Sequence, residues 1–166
     1  MKQQQLLVVI ITGSLLFLLS ACKTNNTSYS YYSYQTQCLG VELDGSQTLK
    51  VWGNGTNRRD AVEQAKKNAV RDVLFKGNFI GSRECQTRPL MLEVNAQEKY
   101  ERYFNVFFRD GGDFTRFVSL KDERLVERIV RSSDTRNRDQ SSYTVVVRVL
   151  RDELREQLIR DGILRQ

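Results

Sequence analysis

Ala61, Ala65 and Ala69 recur at a spacing of four within Asn57–Lys76, a stretch free of glycine and proline. At 3.6 residues per turn they share one helix face, and a side chain that ends at Cβ lets that face lie close on a sheet. Val62, Val70, Val73 and Leu74 widen the same apolar stripe. Asn57 can cap this helix over 57–76, with Asp60 in the acid position of a capping-box-like arrangement, and Gly77 fits a left-handed stop. Upstream, CLGVELD (38–44) and QTLKVWG (47–53) read as two strands around the turn Asp44-Gly45-Ser46. Gly53-Asn54-Gly55 is expected to end the second strand and turn the chain toward the helix.

Residues 78–94 are irregular and contain Cys85 and the single proline, Pro89. Asn95 and Glu98 form a second capping-box pattern before a helix over 96–109. Tyr100, Tyr103, Phe104, Phe107 and Phe108 make its apolar stripe. Such a stripe packs into a core, or it leaves Tyr100, Tyr103 and Phe107 lining a groove for a small apolar ligand. Gly111-Gly112 ends the helix, and 114–120 reads as a short strand or an extended connector. Residues 124–132 and 142–150 pair as a hairpin, and the β-branched run YTVVVRVL gives the strongest strand signal in the chain. Leu125, Val126, Ile129 and Val130 also fit a helical period, so 122–131 can be read either way. A last helix covers 151–161. The expected order is β-β-α-α-β-β-α within one domain, 38–166. This is an α+β fold, a small antiparallel or mixed sheet with two to three helices packed on one face.

The N-terminus has a different composition. Met1-Lys2 precedes an apolar run, Leu6 to Leu19, and then Leu19-Ser20-Ala21-Cys22. The layout is that of a signal peptide, 1–21, with small residues at the cleavage point. Leu-Ser-Ala-Cys resembles the lipobox of bacterial lipoproteins, in which the cysteine thiol is acylated and the chain is cut before it. Cys22 is therefore the expected lipidation site. The apolar run falls short of the ~20 residues that span a bilayer. Lys23 in place of Asp resembles the outer-membrane sorting pattern, and residues 23–30 contain no acid, which points to the periplasmic side. Residues 22–37 read as a lipidated, flexible tether. Tyr29, Tyr31, Tyr32 and Tyr34 within it can alternatively sit at the headgroup layer.

Cys38 and Cys85 are the remaining thiols. In an oxidising compartment the expected state is a disulfide, with free thiols, a metal pair or a reactive thiol as alternatives. The absence of histidine rules out Ser-His-Asp and Cys-His centres and most zinc sites. The adjacent acids Asp122-Glu123 and Asp152-Glu153 point in different directions and make no prepared acid–base pair. Gly53-x-Gly55 lacks the third glycine of a dinucleotide turn, since position 58 is Arg58, and no P-loop Lys-Ser/Thr follows. No catalytic residue, cofactor or metal is expected. The chain has 26 Lys and Arg against 20 Asp and Glu, and only Lys2 of these precedes Cys22. The excess allows an arginine-rich face for an anionic partner or an ordinary solvated surface. A lipid tether keeps the domain from nucleic acid, and no RNA-module signature is present.

Trp52-Gly53-Asn54-Gly55, the alanines at 61, 65 and 69, and Tyr-Thr-Val-Val-Val-Arg-Val together resemble a known layout. It is that of the SHS2-like domain of small bacterial envelope lipoproteins of the Helicobacter type and of the N-terminal domain of the flagellar assembly protein T. The likeness covers roughly 48–80 and 124–163, and departs from those domains in the aromatic second helix and the cysteine pair. It implies an interaction or assembly role in a Gram-negative envelope and carries no catalytic residues. The expected function is a membrane-anchored lipoprotein that binds envelope proteins or cell-wall polymer without catalysis. The alternative is a carrier of a small apolar ligand or lipid using the aromatic helix.

Overall fold

The computed structural model describes residues 36–78, 80–120, 125–129 and 141–165. The leader, Cys22, the tether tyrosines, Asp122-Glu123 and residues 130–140 lie outside the described residues.

Among the described residues, five antiparallel strands form one sheet. Strands β1 (Gln37–Val41) and β2 (Gln47–Gly55) make the first hairpin, and β2 pairs along its whole length with β5 (Ser141–Val149). The far edge of β5 is shared. Strand β3 (Val118–Ser119) takes Arg148–Val149, and β4 (Leu125–Ile129) takes Ser142–Val145. The ambiguous segment 122–131 is thus a strand where it is described. Residues 114–120 divide into a tight 3-10 turn, Asp113–Phe117, and the short β3. Strand β1 starts within the segment read as tether, and Thr36 is already buried.

The period of two along the strands sets the two faces. Leu49, Val51, Val145, Val147 and Val149 are all buried, and the register sets Leu49 opposite Val147 and Val51 opposite Val145. Helix α1 (Arg58–Arg71) covers this face, and Ala61, Ala65 and Ala69 are fully buried. Its start follows the expected chemistry. Asn57 Oδ1 accepts the Asp60 N–H at 3.1 Å, and the Asp60 carboxylate accepts from Thr56 Oγ1 at 2.6 Å and Asn57 Nδ2 at 2.8 Å.

The structure corrects the expected break at Gly53–Gly55. Strand β2 continues through both glycines, which pair with Tyr143 and Ser141. They serve close approach. A Cβ on Gly53 would lie 2.0 Å from the Ala61 carbonyl oxygen, and one on Gly55 would lie 2.4 Å from the Ala61 nitrogen. Small residues on both sides let helix and sheet backbones nearly touch.

Two helix readings are also corrected. The first helix is α-helical only to Arg71, and a wider π-type turn, Asp72–Lys76, follows. The Val73 and Leu74 carbonyls then accept the backbone N–H groups of Leu90 (3.0 Å) and Met91 (2.8 Å). This answers the need of helix-end carbonyls for partners outside the helix. The second helix is divided into α2 (Ala96–Lys99) and α3 (Glu101–Phe107) by a bend at Tyr100. Asn95 does not cap it, because its backbone is left-handed (φ 60°) and its side chain makes no capping bond.

Helix α4 (Arg151–Arg160) closes the domain. Leu154 and Leu158 join Phe104, Phe107, Phe114 and Phe117 in the same core as α1 and the sheet. The α+β class and the antiparallel sheet stand as expected. No helix among the described residues is long and apolar enough to cross a membrane.

Candidate functional site

Cys38 and Cys85 are joined in a disulfide with Cα atoms 6.3 Å apart. Both are buried. The bridge reinforces backbone bonds between β1 and the segment after α1, from Cys38 N to Ile80 O (2.8 Å) and from Ser82 N to Cys38 O (2.9 Å). The pair is structural and offers no thiol for chemistry.

The three aromatic candidates do not line one cavity. Phe107 is 2% exposed and stacks between Tyr103, at 5.8 Å, and Phe117, at 6.1 Å. It belongs to the core. The Tyr103 hydroxyl donates to Asp161 Oδ2 at 2.6 Å, tying α3 to the end of α4. Burial and the neighbouring Asp161 carboxylate push the Tyr103 hydroxyl far above the ordinary tyrosine range. Tyr100 lies elsewhere, in a cleft of about 530 Å³.

Four short segments build that cleft. One wall is Pro89–Glu93, pinned to the end of the first helix by the Leu90 and Met91 backbone bonds. A second wall is the start of α4, where Arg151 and Arg155 stand one turn apart. The Arg151 guanidinium donates to the Arg88 carbonyl at 3.1 Å, so the two walls are joined. The third segment is the returning C-terminal tail. Gly162 adopts φ 72°, and Ile163 N and Gly162 N bond to the Leu158 and Ile159 carbonyls at 2.9 and 3.0 Å. This Schellman turn folds Ile163, Leu164 and Arg165 back against the cleft. Lys99 and Tyr100 complete it.

The electrostatics are one-sided. Lys99 Nζ sits 2.5 Å from Glu93 Oε1 and over the Tyr100 ring, and the Glu93 hydrogen bond holds the ammonium above its usual range. Arg151, half-buried, is driven the other way by desolvation. Among the described residues Arg151, Arg155 and Arg165 have no ion-pair partner, though Arg160 and Arg148 do. The cleft therefore presents concentrated positive charge above an apolar floor of Leu90, Met91 and Leu164. Such a surface can hold an anion. No group of three potential ligand residues that could hold a metal ion occurs among the described residues.

Sequence reasoning found Tyr100 and missed the rest of this site. A usable signal was present in Arg151 and Arg155. Like charges at i, i+4 repel on a helix surface, here with Asp152 at the i, i+3 position from Arg155 as a partial offset. Compared with protein-family models, with curated proteins and with solved structures, the chain matches none.

Proposed function

We propose that this chain is the precursor of a lipid-anchored bacterial envelope protein. It is cut before Cys22, held to the outer membrane by acyl chains on that cysteine, and faces the periplasm. Its domain binds an envelope protein or cell-wall polymer and performs no catalysis. The observation that carries the reading is Leu19-Ser20-Ala21-Cys22, set directly after a positive start and a 14-residue apolar run.

The Cys38–Cys85 bridge supports an oxidising compartment, where such bonds persist. The cationic cleft supports a binding module with an anionic partner. The likeness to envelope lipoprotein and flagellar assembly domains belongs to the same proposal. Strand β2, its two glycines and the alanine face of α1 supply the unit on which that likeness rests. For the carrier reading, Phe107 is buried in the core, and of the three aromatic candidates Tyr100 lines the cleft.

Crosslinking in intact envelopes, followed by affinity recovery, tests the binding role. The control is an unrelated lipoprotein carrying this leader and tether. The expected result is a discrete envelope protein or cell-wall fragment recovered only with this domain. Identical recoveries from both would contradict it.

A further inference from the structure

We propose that the cleft between Pro89–Glu93 and the start of α4 binds an anionic amphiphile. Arg151, Arg155 and Arg165 hold its carboxylate or phosphate head, and Leu90, Met91, Tyr100 and Leu164 hold its alkyl chain. The inference goes beyond the envelope role and does not depend on the lipid at Cys22.

Charge complementarity selects the head. Arg151 is half-buried, and its guanidinium donates to a neutral carbonyl, that of Arg88. Asp152 acts on this guanidinium electrostatically, but among the described residues no carboxylate forms an ion pair with it where water is partly excluded. Arg155 stands at i+4 on the same helix, and Arg165 returns to the same cleft on the Schellman turn. Guanidinium groups engage two oxygens of one carboxylate or phosphate, so three of them around one cleft form an acid-headgroup seat. Among the described residues the nearby acids do not fill it. Glu93 is paired with Lys99. The Asp152 carboxylate sits against the Gly45 turn, where a Cβ on Gly45 would meet its Oδ2 at 2.1 Å. Helix α4 adds the positive end of its dipole to the same region.

Shape and floor select the tail. The cleft's volume falls within the ~300–1,000 Å³ of small-ligand sites. Leu90 and Met91 are buried beneath it, and Leu92 on its rim is 70% exposed. An aliphatic rim beside three arginines suits a ligand that is apolar along its length and acidic at one end. A purely polar anion would leave the floor unused.

The test uses the full chain held in a neutral maltoside detergent and calorimetric titration. Hexyl phosphate and hexanoate are the probes, with inorganic phosphate as the head alone and hexanol as the tail alone. The two acids are expected to bind saturably, at least tenfold tighter than either fragment, and the tighter of the two names the head. Arg155 and Arg165 are both exposed, so the double variant R155Q/R165Q keeps the fold. It is expected to weaken binding at least tenfold. R58Q/R59Q, which removes the same charge from the exposed start of α1, is expected to bind as the parent does. The proposal is overturned by hexanol binding as tightly as hexyl phosphate, by equal losses in the two double variants, or by no saturable binding of either acid.

Discussion

Gly53→Ala is expected to destabilise the domain, although alanine is ordinarily the better residue in a strand. The added Cβ would stand 2.0 Å from the Ala61 oxygen, 2.4 Å from the Ala65 nitrogen and 3.0 Å from the Ala65 Cα. These are backbone atoms of α1, so no rotamer change relieves the contact. The helix must lift by about 1 Å to restore ordinary separation, and a gap of that size forfeits roughly a quarter to a half of each dispersion contact it opens. Overpacking in a filled core costs about 1–3 kcal/mol, and a backbone-to-backbone clash belongs at the upper end. Replacing glycine narrows the unfolded ensemble and returns up to about 1 kcal/mol. The net loss is about 2 kcal/mol. With a urea dependence of about 1.5 kcal/mol per M, the unfolding midpoint should fall by more than about 1 M. Far-UV circular dichroism and Trp52 fluorescence should report the same shift. Gly40→Ala is the matched control, because no atom lies within 4 Å of a Cβ built there. It should leave the midpoint unchanged or raise it slightly. Equal midpoints for the two variants would refute the close-approach account of Gly53.

Other consequences follow from the same structure. Asn57→Ala should cost about 1 kcal/mol in urea unfolding by removing the acceptor for the Asp60 N–H; an unchanged midpoint would remove the cap from the account. Reducing Cys38–Cys85, which closes a loop of separation 47, should cost about 4 kcal/mol on chain-entropy grounds. The oxidised protein should also weigh two daltons less than the reduced one, and equal masses would mean free thiols. The raised Tyr103 hydroxyl stays protonated in the fold where tyrosines of the unfolded chain ionise near ~10. Its contribution to stability is complete below that pH and is lost as pH climbs from there toward the folded value. Tyrosine absorbance should show one late-ionising group in the native protein, absent in Tyr103→Phe. A curve unaltered by that substitution would count against the Asp161 bond.

The elements readable from sequence were those set by local periodicity. The Tyr143–Val149 run, the alanine face of α1 and the Asn57 cap each report on neighbours within a few residues, and all form as expected. Gly53 and Gly55 differ from expectation because a strand-breaking glycine and one that admits a helix backbone look alike until the partner is in place. Asn95 differs for a related reason. Asparagine serves both as an N-cap and in the left-handed region, and here the backbone took the second course. The pairing of β4 with β5 is the expected hairpin, whereas β3 reaches Arg148 and Val149 from a segment far off in the chain, to which local pattern is blind. The cleft was hidden for the same cause. Its lining comes from 89–93, 99–100, 151–155 and 163–165, which the Leu90 and Met91 backbone bonds, the Arg151–Arg88 bond and the Gly162 turn bring together.

The central claim concerns Cys22, and the mass of the protein purified from bacterial membranes tests it most directly. The account predicts a chain that begins at Cys22 and carries the added mass of several acyl chains on that residue. It also predicts that Cys22→Ser accumulates uncut, with its leader still attached and without lipid. A mature-sized product from Cys22→Ser, or an unmodified Cys22 in the membrane-derived protein, would contradict it.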